Sequence, residues 1–215
     1  MTSTERMAEV ATKLGRTSFY QMPASTKYHN NTEGGLLQHC LTVWKNLETL
    51  TETLSLKWED PSSPFVIAML HDACKIDAYY YNPDYGCWGR NEGHPEGHGD
   101  LSLKVIEELD IELTEEEKLC IRWHMGAFDK KENWAGFTEA IHRYPNVLWV
   151  HSADMMSSQI DEVEKKPEEE KKCCLCGRPL GKNEYGNNPA PLAENGVCCD
   201  YCNITRVIPA RFMGI

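Results

Sequence analysis

The stretch Phe65-Val-Ile-Ala-Met-Leu-His71-Asp72 joins an apolar run to a histidine and an aspartate. Pro64 can open a helix here, and that helix would carry both polar side chains toward the interior of the protein. Further candidate ligands stand at helix-sized intervals along the chain: His39, His98, His124 and Asp154. Because a helical bundle can bring side chains from separate helices to one interior point, we predict that these six residues form a metal site.

Helical spacing of apolar residues recurs along the first three quarters of the chain and predicts an all-α fold. Helices are expected at residues 1–14, 36–50, 64–72, 100–109, 114–124, 138–144 and 145–163. Thr114 and Glu117 match a capping box. Residues 79–99 predict a long irregular loop, and strand-like patterns are limited to residues 196–197 and 206–208.

The composition predicts a soluble, cytoplasmic protein. Its hydrophobic fraction of 41% is sufficient for a core. No apolar stretch approaches the ~18 residues of a membrane span, and the first residues lack a signal-peptide pattern. Residues 1–170 carry 16 basic and 30 acidic side chains, whereas residues 171–215 carry six and three. An acidic body disfavours a long nucleic acid but permits a small phosphorylated ligand at bound metal ions.

The predicted ligands suit one or two divalent transition metals, namely manganese, iron, nickel, cobalt or zinc. One ion would be held by His39, His71, Asp72 and Asp154. A second would be held by His98 and His124, with Asp72 shared, and His94 is an alternative to His98. A divalent ion lowers the pKa of its bound water from about 15.7 to near 7, so the pattern indicates hydrolysis.

Five segments resemble, in order and spacing, the motifs of the HD-domain metal-dependent phosphohydrolases. They are GGLLQH at residues 34–39, MLHDACK at 69–75, GHGDLS at 97–102, WH at 123–124 and SAD at 152–154. The resemblance covers about residues 20–160. Residues 23–29, PASTKYH, are also similar to the subset that includes bacterial 3′→5′ exoribonucleases.

This resemblance implies an α-helical HD domain that hydrolyses phosphoester bonds. It implies the same ligand sets, with His39, His71, Asp72 and Asp154 around the core ion and two histidines for a second. The chain departs from the family at residues 73–75, where Ala-Cys-Lys replaces Ile-Gly-Lys. It also shows no OB-type module such as the exonuclease relatives carry, which favours a small substrate.

Four residues are expected to carry out the reaction: Asp72, Lys75, His98 and His124. Lys75 follows Asp72 by one helical turn, so it can face the ions and stabilise charge on phosphate oxygens. Substrate contacts are expected from Lys75, Arg122, Lys27 and His29. A solvated surface charge is the alternative for Arg122. The aromatic residues between 79 and 88 can stack a base or simply pack onto the domain.

Six of the ten cysteines lie within residues 173–202. Two C-x-x-C pairs are separated by 22 residues, which matches the spacing of zinc ribbons and predicts a structural zinc site at Cys173, Cys176, Cys199 and Cys202. Cys174 and Cys198 are competing ligands. The charged residues 164–172 mark the boundary between an HD domain at 1–165 and a zinc-ribbon-like module at 166–215.

Together these patterns predict a metal-dependent phosphohydrolase of a small nucleotide or nucleotide-like substrate. Three alternatives stay open. The chain can be a nuclease or phosphodiesterase on short single strands, gripped by the basic module. It can be a binding module that senses a nucleotide. It can also be a di-iron enzyme that uses dioxygen. Oligomer contacts through the cysteine module are a further expectation.

Overall fold

The computed structural model describes residues 2–26, 30–95, 97–128, 130–162, 172–181, 184 and 186–213. The chain divides into two compact units, Met1–Glu164 and Lys165–Ile215. Two of the predicted substrate contacts, Lys27 and His29, lie outside the described residues, and so does most of the charged segment between the units.

The first unit is mostly helical, as the apolar periodicity predicts. Its helices are α1 (Ser3–Leu14), α2 (Gly35–Leu54), α3 (Ser63–Leu70), α4 (His98–Glu108), α5 (Glu115–Trp123), α6 (Trp134–Arg143) and α7 (Asn146–Met156). Short 3-10 turns lie at Ala73–Lys75, Gly126–Phe128 and Lys131–Asn133, and α7 continues into a π-helical turn at Ser157–Asp161. Within the described parts of the chain, no helix combines the length and the apolar character needed to cross a membrane.

Two helix ends bear on the site. The capping box of α5 is confirmed, with the Glu117 backbone N–H donating to Thr114 Oγ1 at 3.2 Å and the Thr114 N–H donating to Glu117 Oε2 at 2.9 Å. Helix α3 ends at Leu70 rather than at residue 72. The chain therefore turns at His71 and Asp72 before the 3-10 turn that contains Lys75.

The prediction of an irregular loop at residues 79–99 is wrong for its first half. Strands β1 (Tyr79–Asn82) and β2 (Cys87–Arg90) form an antiparallel hairpin in which Tyr79 lies opposite Arg90. The aromatic composition of β1 favours a strand, and Gly89 leaves room for the facing ring. A Cβ at Gly89 would lie 2.6 Å from Tyr80 Cζ. The turn-forming residues between the two strands made this strand pattern hard to recognise in the sequence.

The core of the first unit lies between α2 and the helices α3 and α7 that pack against it. Its largest fully buried apolar side chains include Phe19, Leu36, Leu47, Ile67, Leu70, Ile106 and Ile121. A buried ion pair joins α1 to α5, because the Arg6 guanidinium donates to both carboxylate oxygens of Glu117 at 2.6 Å. This framework fixes the helix ends from which the candidate ligands project.

The described residues of the second unit contain little regular structure. Isolated bridges join Lys172 to Pro179, Cys173 to Val197 and Asn187 to Cys198. Helix α8 (Asp200–Cys202), a π-helical turn (Asn203–Val207) and α9 (Ile208–Met213) follow. The strand-like interpretation of residues 206–208 is therefore wrong, because a short apolar run does not by itself separate a strand from a buried helical turn.

Candidate metal centre

The structure brings all six predicted ligands to the same region of the first unit. They come from five helices or helix ends: His39 in α2, His71 and Asp72 after α3, His98 at the start of α4, His124 after α5 and Asp154 in α7. His39, His71, Asp72 and His124 are each at most 3% exposed. Buried polar groups in such numbers require partners, either other protein groups or a bound ion.

The first group surrounds one carboxylate oxygen, Asp72 Oδ2. His39 Nε2 lies 3.6 Å from it and His71 Nε2 lies 3.5 Å from it. The two ring nitrogens are 3.2 Å apart, and Asp154 Oδ1 is 3.2 Å from His39 Nε2. Ligands bound at about 2.1 Å in a tetrahedron lie about 3.4 Å apart, so the separations among His39, His71 and Asp72 fit a common ion, and Asp154 lies next to His39 at the edge of this group.

The second group surrounds the other oxygen, Asp72 Oδ1. His98 Nδ1 lies 3.7 Å from this oxygen and His124 Nε2 lies 3.8 Å from it. Cys74 Sγ is 3.5 Å from His98 Nδ1. Asp72 thus stands between two sets of imidazoles, each facing a different oxygen of its carboxylate.

Backbone contacts orient two of the rings toward Asp72. His71 Nδ1 lies 2.9 Å from the Ala68 carbonyl oxygen, and His124 Nδ1 lies 2.7 Å from that of Ile121. Each Nδ1–H can therefore donate, which leaves the Nε2 lone pair for the site. His124 Nε2 is buried and has no hydrogen-bond partner among the residues that the structure describes. A metal ion would satisfy this nitrogen, so the donor set fits a metal.

Glu162 supports the first group from outside. Its Oε1 lies 2.9 Å from His39 Nδ1 and accepts a hydrogen bond from the Ser157 hydroxyl. A carboxylate that holds the far nitrogen of a ligating histidine fixes the tautomer and strengthens the ligand. Glu162 is not among the predicted site residues, because the π-helical turn after α7 changes the spacing by which it would share a helix face with Asp154.

Lys75 lies in the 3-10 turn and points back toward the aspartate that precedes it. Its Nζ is 2.6 Å from Asp72 Oδ2. Burial would raise the pKa of Asp72. The electrostatic attraction of Lys75, and then of His71, outweighs this effect and holds the pKa well below its ordinary value. Burial likewise opposes the charge on Lys75, but Asp72 raises the pKa of the amine. Both groups are therefore ionised at neutral pH.

The histidines differ in their protonation. Burial lowers the pKa of His124 to about 4 and also lowers that of His71, so both rings are neutral at pH 7, the form that binds metals. Burial also opposes the charge on His39, but hydrogen bonds to Asp154 and Glu162 raise its pKa to about 9. Hydrogen bonds to Asp72 and Cys74 raise the pKa of His98 to about 10.

A cavity of about 200 Å³ opens onto the two groups. Its polar wall contains His39, Asp72, Lys75, His98 and Asp154, and its rim contains Met125, Phe128, Met155, Ser158 and Gln159. Typical pockets for drug-sized ligands have about 300–1,000 Å³. The cavity therefore has room for ions and a phosphate group, while a larger substituent would extend over the rim.

Other predicted contacts lie elsewhere. Arg122 forms an ion pair with Asp100 on α4, and its guanidinium lies 4.3 Å from the centre of the Trp123 ring. His94 contacts the backbone of the site instead of Asp72, with Nε2 lying 3.0 Å from the Cys74 carbonyl oxygen. Tyr81 and Trp88 pack edge to face at 5.4 Å.

The second unit contains a separate cluster of thiols. One sulfur from each of Cys173, Cys176, Cys199 and Cys202 lies within 4.8 Å of the others, so this set can hold a metal ion. Burial opposes ionisation of Cys173, but backbone N–H groups of Cys199, Leu175 and Cys176 lower its pKa to about 6. A thiolate, the form that binds metals, is therefore available at neutral pH.

No protein family, curated protein or solved structure with which the chain was compared gives a match. What these residues do must therefore follow from their own geometry and chemistry.

Proposed function

We propose that the chain is a metal-dependent phosphohydrolase of the HD type that cleaves a phosphoester bond in a small nucleotide or nucleotide-like substrate. The observation that carries this proposal is the position of Asp72, whose two oxygens face separate sets of imidazoles. A carboxylate placed in this way can bridge two ions about 3.5–4 Å apart, the arrangement that phosphatases and nucleases use.

The candidate ligands would form two metal positions. His39, His71 and Asp154 would hold one ion together with Asp72, and His98 and His124 would hold the other. Divalent ions of manganese, iron, nickel, cobalt or zinc would supply an activated water at neutral pH and would polarise a phosphoryl oxygen. Glu162 keeps the His39 ring in its binding orientation through a 2.9 Å contact.

Lys75 would contribute positive charge to the same cavity. Its ammonium group lines the cavity beside Asp72 and is fixed by a 2.6 Å ion pair. A preorganised cation in a site that excludes water stabilises charge that develops on phosphate oxygens. We therefore propose that Lys75 binds the phosphate of the substrate.

The size of the cavity favours a small substrate. A phosphate fits within about 200 Å³, and the remainder of the molecule would lie against the rim. Phe128 is 67% exposed at this rim and offers an aromatic face to a base. The acidic charge of residues 1–170 disfavours a long polyanion.

We propose in addition that Cys173, Cys176, Cys199 and Cys202 hold a structural zinc ion. Four thiolates occupy all four coordination positions of a tetrahedral ion and leave no position for a substrate. The buried cluster of this unit consists of Cys173, Cys198, Cys199, Cys202 and Val207, with Leu175 and Leu180 packed against it. Without a metal, this would be a small core for a folded unit.

The test combines elemental analysis with a hydrolysis screen of mononucleotides, dinucleotides and other phosphorylated metabolites. For Asp72→Ala we expect hydrolysis and the metal of the first unit to be lost together, because both ions lose a shared ligand, while the zinc of the four-cysteine site is retained. Asp77→Ala, an exposed aspartate five residues later, is the matched control and should retain both. Hydrolysis that persists in Asp72→Ala would refute the assignment. Cleavage of dinucleotides alone would indicate the phosphodiesterase alternative, and bound iron with dioxygen consumption would indicate the oxygenase.

A further inference from the structure

We infer that Cys74 is a thiolate ligand of the ion at the second position, which then has mixed oxygen, nitrogen and sulfur donors. Cys74 stands where the HD motif of this chain departs from Ile-Gly-Lys. The inference rests on the proposed function only in taking the second position to bind an ion.

The distances around Cys74 fit a shared ion. Its Sγ lies 3.5 Å from His98 Nδ1, and the sulfur, a ring nitrogen of His98 and a carboxylate oxygen of Asp72 lie within 4.8 Å of one another. A tetrahedral ion with a 2.3 Å bond to sulfur and a 2.1 Å bond to nitrogen separates these two ligands by about 3.6 Å. The observed separation is within a few tenths of an ångström of that value.

A second observation points to an ion beside the same oxygen of Asp72. His124 Nε2 is buried, lacks a hydrogen-bond partner among the described residues and lies 3.8 Å from Asp72 Oδ1. His98 Nδ1 lies 3.7 Å from the same oxygen. A buried acceptor nitrogen left in this way requires a cation or a donor, and Cys74 Sγ lies beside the ring of His98 that faces the same oxygen.

The backbone holds Cys74 in place from both sides. Its N–H donates to the Ser102 hydroxyl of α4 at 3.1 Å, and its carbonyl oxygen lies 3.0 Å from His94 Nε2. The residue is 4% exposed. Cys120 is also buried but belongs to the apolar core, so burial alone does not distinguish Cys74. Its position next to Asp72 and His98 does.

A thiolate would make the two ion positions chemically different. The first group offers imidazole nitrogens and carboxylate oxygens only, whereas the second would add a soft sulfur donor. Soft donors favour zinc over manganese or magnesium. On ligation the thiol gives its proton to water, so no oxidant or further reactant is required. We therefore expect the second position to select a thiophilic metal.

The test is cobalt(II) substitution in the full-length protein, followed by absorption spectroscopy. Bonds between thiolate sulfur and cobalt give charge-transfer bands in the near ultraviolet. The four-cysteine site contributes the same bands to every variant, so the wild-type spectrum minus that of Cys74→Ser isolates Cys74. We expect a positive sulfur-to-cobalt band in this difference. Cys87→Ser, which removes an exposed thiol on β2, is the matched control and should match the wild type.

A second measurement separates a ligand from a residue that only supports the fold. Cys74→Asp restores an anionic donor, so it should bind cobalt at the second position but lack the sulfur band. Cys74→Ser should weaken binding of the second ion by at least about tenfold. That is the lower end of the loss in metal affinity caused by mutating a residue that only supports a metal ligand. If Cys74→Ser preferred zinc over manganese as strongly as the wild type does, the inference would be contradicted.

The outcomes also separate this inference from the proposed function. Identical spectra for wild type and Cys74→Ser at equal cobalt content would overturn the assignment of Cys74 as a thiolate ligand. If the wild type still hydrolysed a phosphoester, the proposed function would remain intact. A sulfur band from Cys74 in a protein that hydrolyses no phosphoester would support the ligand and refute the proposed reaction.

Discussion

Protons compete with metal at two histidines of the site. Carboxylates raise the pKa of His39 to about 9 and that of His98 to about 10, so both rings are protonated at pH 7 when no ion is bound. An ion must displace these protons. Apparent zinc affinity should therefore rise with pH, by up to about tenfold per pH unit for each displaced proton, until each pKa is passed.

Competition with a chromophoric chelator at about pH 7.2 and about pH 8.5 measures this rise, since both values lie above the ordinary histidine pKa of about 6.5 and below the raised ones. Glu162→Gln supplies the control, because it removes a carboxylate that raises the pKa of His39 but keeps the ring as a ligand, so the slope should fall. An affinity for the first ion that does not change with pH, after correction for the chelator, would contradict the protonation assigned to these rings.

At the level of single residues, the sequence could supply the ligand types but not their outer partners. His39, His71, Asp72, His98, His124 and Asp154 are predicted from motif order and converge around Asp72. Glu162 reaches His39 only through the π-helical turn after α7, and Cys74 reaches His98 only through the 3-10 turn after Asp72. Apolar periodicity does not reveal such turns.

Among the helices, α4 and α5 approach closely at Gly99. A Cβ on this residue would lie 2.0 Å from the Arg122 carbonyl oxygen, which is backbone and cannot rotate away. In an open helix, Gly→Ala would stabilise by about 0.5–1 kcal/mol. Here we expect Gly99→Ala to destabilise the protein by about 1–3 kcal/mol, as overpacking does, and to weaken the second ion because His98 and His124 flank this contact.

Thermal unfolding with and without metal measures both effects. Lys104→Ala, an exposed position on the same helix, controls for the change in helix propensity and should leave the melting temperature nearly unchanged. A Gly99→Ala variant that is as stable as the wild type would show that α4 can move away from α5 without cost.

The elements themselves were predicted unevenly. The capping box at Thr114 and Glu117 defined the start of α5, because the side-chain contacts that form it are local in sequence. The hairpin of β1 and β2 was missed, because its pairing depends on contacts across a turn rather than on a period within either strand. Helix α2 extends to Leu54, beyond the end expected at residue 50, and this last turn is mostly exposed, so apolar periodicity does not mark its end.

At the scale of the whole molecule, the two units depend on different sources of stability. Unit 1 has an apolar core that includes residues from α1 to α7, whereas the buried cluster of unit 2 consists mainly of cysteines. A metal bound by four thiolates in such a small unit contributes folding free energy directly, about 10–16 kcal/mol in zinc-finger peptides. Loss of that metal should therefore unfold unit 2 and leave unit 1 folded.

Cys202→Ser tests this dependence, because Cys202 is a buried member of the four-thiol cluster. We expect the variant to contain one zinc ion fewer and its residues 172–213 to be cleaved rapidly in limited proteolysis, while the thermal transition of unit 1 is retained. Cys174→Ser removes a neighbouring exposed thiol outside the cluster and should behave as the wild type. If Cys174→Ser also lost zinc, the ligand set would be shifted by one residue. If Cys202→Ser resisted proteolysis without its metal, unit 2 would be folded by its apolar contacts alone and the structural role of zinc would be refuted.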